Sequence, residues 1–125
     1  MTDTDGLDST MFDAVREALV AEPAVSAVYS IGGGNTATLA AFEALGRTPD
    51  VFVAHDLDGD NRALLRTHRL SAVLHHDLRA DMRRACRLVM QAQGALPGSP
   101  VSVPSPVQVV TPYNEPSGLD LDGGP

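Results

Sequence analysis

The stretch VSAVYSIGGGN at residues 25–35 decides the fold class of this 125-residue chain. Residues 25–31 are short, apolar and rich in strand-forming side chains, and they run directly into three glycines and an asparagine. Asn35 is a good N-cap for a following helix, in which apolar residues recur at helical spacing. Gly46 lies where a C-terminal glycine cap of this helix belongs. A strand that passes through a glycine turn into a helix indicates an α/β fold.

The same alternation extends in both directions along the chain. Further strands are predicted at residues 51–54, 72–74 and 107–111. Further helices are predicted with Ser9 or Thr10, with Asp58, Asp60 or Asn61, and with Asp77 as their N-caps. Strands that alternate with helices at this spacing predict a parallel sheet flanked by helices, with right-handed crossovers. The fourth helix carries an apolar stripe that includes Cys86, which we expect to be a small core residue.

Composition and charge exclude several classes of function. The formal net charge is -7, from 16 acidic and 9 basic residues with no lysine, so this segment is not expected to bind nucleic acid directly. No apolar run approaches the roughly 20 residues of a membrane span. The acidic start does not resemble a secretory signal, so a cytoplasmic location is expected.

Three predicted strand ends carry the polar residues that could form a site. They are Gly32 to Asn35 after the first strand, His55-Asp56 after the second, and His75-His76-Asp77 after the third. In parallel α/β sheets, ligands bind beyond the carboxyl ends of the strands. We therefore expect these loops to meet at one edge of the sheet and to bind a small polar ligand.

The glycine turn leaves three interpretations open. Residues 32–37 match G-x-G-x-x-A between a strand and a helix, and Asp56 follows near the distance of a ribose-binding acid in dinucleotide folds. The turn could also be another kind of ligand loop, which the sequence favours over a dinucleotide site, or a tight turn with a purely structural role.

Metal binding and catalysis are not predicted. Residues 56–67 depart from a calcium loop at its sixth and twelfth positions, and the histidines lack metal-ligand spacing. No nucleophile or oxyanion site accompanies Asp56 and its neighbouring histidines, so neither an enzyme nor a cofactor is expected.

Four segments in series resemble a known family. Residues 28–35, 51–57, 70–77 and 107–116 occur in the order and spacing seen in the sugar-binding domains of LacI-type transcription regulators. These domains are similar to periplasmic sugar-binding proteins. The resemblance implies a lobe of the periplasmic-binding-protein-like type I fold over residues 9–116, with a flexible lead-in at residues 1–8 and a disordered tail at residues 117–125.

The resemblance also implies a function and a set of ligand-binding residues. In that family two lobes close on a sugar, and the matching positions here are Gly33, Gly34, Asn35, Asp56 and His76. Many relatives have Asp-Gln where this chain has the His75-His76 pair. The expected function is thus sugar sensing by part of a transcription regulator.

Several parts of such a regulator are not found in this sequence. The second lobe, the helix-turn-helix and the first strand of this lobe are all missing, so an exposed sheet edge is expected. That edge favours a homodimer or pairing with the missing lobe. Two alternatives stay open at this point, a minimal nucleotide-binding α/β domain and a non-binding remnant that pairs with another chain.

Overall fold

The computed structural model describes residues 8–116, in which four helices alternate with four strands. The elements are α1 (Asp8–Ala21), β1 (Ala27–Tyr29), α2 (Asn35–Ala44), β2 (Val51–His55), α3 (Gly59–Arg66), β3 (Ala72–His75), α4 (Leu78–Ala92) and β4 (Gln108–Val110). Each predicted element is present, with bounds that shift by one to two residues. The predicted disordered tail, and the lead-in except for Asp8, lie outside the described residues.

The four strands form one sheet in the order β1-β2-β3-β4. β1 pairs with β2 and β2 pairs with β3, both in parallel, with Val28 opposite Phe52 and Ala54 opposite Val73. The α/β class and the parallel pairing predicted from the sequence are therefore confirmed. Because these pairs run in register, the ends of β1 and β2 reach the same edge of the sheet.

The hydrophobic core lies against one face of this sheet. Alternate strand residues point to that face, and α2 and α3 contribute leucines to the same cluster. The cluster comprises Leu39, Phe52, Ala54, Leu57, Leu64, Leu65, Leu70, Val73 and Val110. On the opposite face, Tyr29 and Val51 remain 60% and 46% exposed.

Helices α1 and α2 pack against each other beside the glycine turn. Leu19 of α1 and Phe42 of α2 are buried, and the guanidinium of Arg47 lies 5.7 Å from the centre of the Phe42 ring. Gly46 has φ 66° directly after α2, and its N–H donates to the carbonyl of Glu43. This left-handed glycine is the predicted C-terminal cap.

Residues 75–108 form a second compact unit, whereas residues 8–74 and 109–116 belong to the first. It contains α4, which is capped as predicted by Asp77, whose carboxylate accepts from the N–H of Ala80 at 2.9 Å. The expectation that Cys86 is a core residue is wrong, because Cys86 is exposed and α4 has no buried residue. Helical spacing identified the apolar stripe but could not show whether anything covers it. Over residues 8–116, no helix is long and apolar enough to cross a membrane.

Candidate functional site

The glycine turn brings the backbone from β1 into α2 through a left-handed residue. Gly34 is the N-cap of α2 with φ 79°, and a Cβ at this position would lie 2.9 Å from Cγ of Met11. Both the backbone angle and the close approach of α1 require glycine here. The predicted N-cap role of Asn35 is wrong, since Asn35 is the first helical residue and α2 has no side-chain cap. The N-terminus of α2 is therefore not capped by any side chain.

Asn35 instead lies buried between two loops. It is 6% exposed, and its Nδ2 donates to Oδ1 of Asn61, which is 3% exposed, at 2.8 Å. Asn61 Nδ2 donates in turn to the carbonyls of His55 and Asp56 at 2.9 and 2.8 Å. These two carbonyls fix the orientation of the Asn61 amide, and thereby that of Asn35. Asn35 Oδ1 is left buried with no hydrogen-bond partner.

Asp56 sits at the end of β2 in an unusual backbone conformation. Its φ is 67°, a left-handed value that aspartate and asparagine tolerate better than most residues. Its N–H donates to the carbonyl of Leu74 at 2.9 Å, and its own carbonyl is held by Asn61. The backbone is fixed on both sides while the residue remains exposed, so the carboxylate can reach a ligand.

His55 precedes Asp56 and contacts an aromatic residue on the neighbouring strand. The hydroxyl of Tyr29 lies 2.6 Å from Nε2 of His55, and the ring centres are 5.4 Å apart. Tyr29 is exposed, so the two side chains present a hydroxyl and an imidazole to solvent beside the end of β2.

These loops enclose a cleft of about 220 Å³. Its walls come from the glycine turn, the start of α2, the end of β2 and the start of α3. The residues that line it are Gly32, Gly33, Gly34, Asn35, Thr36, His55, Asp56, Asp58, Asp60 and Asn61.

The charged groups of the lining are all acidic. Asp58 is the N-cap of α3 and accepts from the N–H of Asn61 at 2.8 Å, so it is the cap among the three residues that the sequence offered. Asp56 and Asp60 are exposed, and no arginine belongs to the lining. A pyrophosphate would meet like charges here without a cation to neutralise it, which weighs against the dinucleotide interpretation. Over residues 8–116, no group of three metal-binding side chains is found.

The structure brings four of the five predicted ligand-binding residues to one cleft. Gly33, Gly34, Asn35 and Asp56 all line it. His76 belongs to the second unit, where its Nδ1 lies 3.4 Å from the hydroxyl of Ser105. The part of His76 in ligand binding, and that of the other four residues, stays a prediction.

Asn61 is the structural residue of this cleft that sequence reasoning missed. Its position in the first turn of a helix, three residues after Asp58, predicted only a cap or a first-turn polar residue. A buried asparagine that joins two loops leaves no periodic pattern, because its partners lie 26 and six residues away.

Comparison with known proteins identifies the fold. No family model matches this sequence, and no curated protein sequence matches it. A solved structure that matches is a sugar ABC transport system substrate-binding protein from Bordetella parapertussis 12822, with a TM-score of 0.69 and 19% sequence identity. The chain has a periplasmic-binding-protein-like α/β fold. The match covers 94% of this chain and 38% of that protein, so the chain spans well under half of its length.

Proposed function

We propose that this chain binds a small polyhydroxyl ligand, a sugar, in the cleft between the glycine turn and the end of β2. The observation that carries the proposal is the pairing of two kinds of hydrogen-bonding group in one cleft. The Asp56 carboxylate and the unpaired Asn35 Oδ1 accept hydrogen bonds, while the uncapped N-terminus of α2 offers N–H donors. Sugar hydroxyls both donate and accept, so they complement such a lining.

We further propose that the chain serves as a cytoplasmic sensing half-domain of a LacI-type transcription regulator, with DNA contacts made by another segment. The four segments that resemble that family support this role, and so does the fold shared with a sugar-transport substrate-binding protein. A single lobe encloses only part of a ligand, so we expect weak binding, with a dissociation constant of about 1 mM.

Isothermal titration with neutral hexoses tests the proposal. We expect at least one hexose to bind and Asp56→Asn to weaken that binding about tenfold, since the charged acceptor is lost while the left-handed backbone is tolerated. The matched control is Asp13→Asn, the same chemical change at an exposed position on α1, which should bind like the parent chain. Equal binding by Asp56→Asn and Asp13→Asn would overturn the assignment of the site.

A second candidate function is pairing with a second copy of this chain. The apolar stripe of α4 supports it, because Leu78, Met82 and Val89 are 71%, 58% and 61% exposed and recur at helical spacing. An apolar stripe on one helix is a common interaction surface, and a symmetric dimer buries the same patch twice.

Light scattering coupled to size exclusion tests this pairing. We expect a dimer that Met82→Glu converts to monomer, since the new carboxylate would be desolvated in an apolar contact. Arg87→Gln changes the net charge of the same helix by an equal amount, leaves the stripe intact, and should remain dimeric. A monomer at every concentration in the parent chain would rule out pairing.

A further inference from the structure

The cleft carries more negative charge than the surrounding side chains neutralise. Asp56, Asp58 and Asp60 line it, and none of the nine arginines of the chain does. Ion pairs elsewhere in residues 8–116 engage the carboxylates of Glu43, Asp81 and Glu115.

The helix ends at the cleft offset only part of this charge. α2 and α3 both begin there, and each N-terminus is equivalent to roughly half a positive charge. Together they balance about one of the three carboxylates. An excess of negative charge remains, and it opposes phosphate and carboxylate groups on a ligand.

The unpaired oxygen of Asn35 is a second observation that points to a ligand. Asn35 is 94% buried, since only 6% of it is exposed, and its Oδ1 has no partner. Because Asn61 Nδ2 is held by two carbonyls, rotation of the Asn35 amide would set its oxygen against Asn61 Oδ1. A buried acceptor without a donor costs free energy, and a ligand O–H or N–H would remove that cost.

On the basis of the proposed function, we propose that the cleft selects an amino sugar over neutral and anionic sugars. The protonated amino group carries three donors and no acceptor, and it would lie among the carboxylates of Asp56, Asp58 and Asp60. A donor of the ligand would satisfy Asn35 Oδ1. Charge-assisted hydrogen bonds are about twice as strong as neutral ones, so one amino group can decide the choice of ligand.

Titrations followed by the amide signals of ¹⁵N-labelled protein test this inference. The probes are matched pairs of glucosamine with glucose, galactosamine with galactose and mannosamine with mannose, at pH 7, where a sugar amine is largely protonated. N-acetylglucosamine and glucose 6-phosphate serve as neutral and anionic comparisons. The side-chain amide signals of Asn35 and Asn61 report binding in the cleft itself.

We expect the tightest-binding amine to bind about fivefold to tenfold more tightly than its parent hexose. Glucose 6-phosphate should bind most weakly. About 0.5 M salt should reduce the preference, because it screens the carboxylates. Asp56→Asn should also reduce it, whereas Asp13→Asn should preserve it.

Three other outcomes would overturn the inference. If every hexose binds as tightly as its amine, selection by charge is wrong while the proposed sugar binding stands. If an amine binds without shifting the Asn35 and Asn61 signals, its attraction is to the acidic surface in general. If no member of the panel moves those signals, the inference and the proposed function both fail.

Discussion

The side-chain amides of Asn35 and Asn61 join the two loops that form the cleft. Asn35 Nδ2 lies 2.8 Å from Asn61 Oδ1, and both residues are buried. Through its own Nδ2, Asn61 also holds the two carbonyls at the end of β2. This short network sets the distance between the glycine turn and Asp56, and the shape of the cleft depends on it.

Replacing Asn61 should therefore destabilise the protein strongly. Asn61→Leu keeps the volume but leaves two carbonyls and the Asn35 amide without their partner, at a cost of about 3 kcal/mol in the free energy of unfolding. Urea denaturation followed by circular dichroism measures this change.

Asn114→Leu is the matched control for Asn61→Leu. Asn114 also bonds to backbone, donating to the carbonyl of Val109 at 3.0 Å, but these bonds are exposed to water. Its replacement should cost less than about 1 kcal/mol, because water can take over. Equal losses in the two variants would show that the Asn61 network does not support the cleft.

The glycine turn supplies a second prediction. Gly34→Ala forces an L-residue to φ 79° and places Cβ 2.9 Å from Met11 Cγ, so we expect a loss of about 2 kcal/mol in the free energy of unfolding. Gly32→Ala in the same turn should change it by less than about 0.5 kcal/mol, since a Cβ there meets nothing within 4 Å. Thermal unfolding of both variants gives the comparison. If Gly34→Ala lost no more stability than Gly32→Ala, that result would contradict the structure of the turn.

Much of the fold could be predicted because its signals are local. The strand of residues 25–31, the glycine cap at Gly46 and the aspartate caps of α3 and α4 each depend on a few neighbouring residues. The α/β class follows from their alternation. The edge where the polar residues meet follows from the parallel direction of the strands.

The predictions that were wrong concern side chains whose surroundings depend on residues far away in the sequence. Asn35 was predicted to be a cap because it follows three glycines, but its side-chain amide donates a hydrogen bond to Asn61, 26 residues away. Cys86 looked buried because it belongs to an apolar stripe, and spacing alone cannot tell whether another surface covers that stripe. His76 follows β3 as predicted, and its Nδ1 lies beside the hydroxyl of Ser105 in the same unit. Its part in ligand binding stays a prediction.

The cap of α3 can be tested apart from ligand binding. Asp58→Ala removes the acceptor for the N–H of Asn61 and should cost about 1 kcal/mol, whereas Asp58→Ser should retain most of the stability. Asp60→Ala is the control, since it removes only a first-turn charge worth about 0.5 kcal/mol. Chemical denaturation ranks the three variants, and an Asp60 effect larger than that of Asp58 would count against the cap.

The segment after β4 is fixed to α3 by ion pairs that should make stability depend on pH. The Glu115 carboxylate lies 3.0 Å from Nε of Arg62 and 2.8 Å from a terminal nitrogen of Arg66. The hydrogen bond from Arg66 lowers the pKa of Glu115 below its ordinary value of 4.5, although desolvation acts in the opposite direction. The folded state thus binds the Glu115 proton less tightly than the unfolded state does.

A lowered pKa in the folded state has a definite sign for stability. The contribution of Glu115 is complete above pH 4.5, the ordinary pKa of the unfolded group, and is lost as the pH falls through the lower folded value. Glu115→Gln lacks this contribution at every pH. The parent chain should therefore be more stable than Glu115→Gln at pH 7, and the two should converge in acid. Urea denaturation of both chains at pH values from 7 to about 3 measures the difference in their free energies of unfolding. The other carboxylates titrate alike in both chains, so their contributions to this difference cancel. A difference that stays constant across that range would mean that the Glu115 ion pairs do not stabilise the fold.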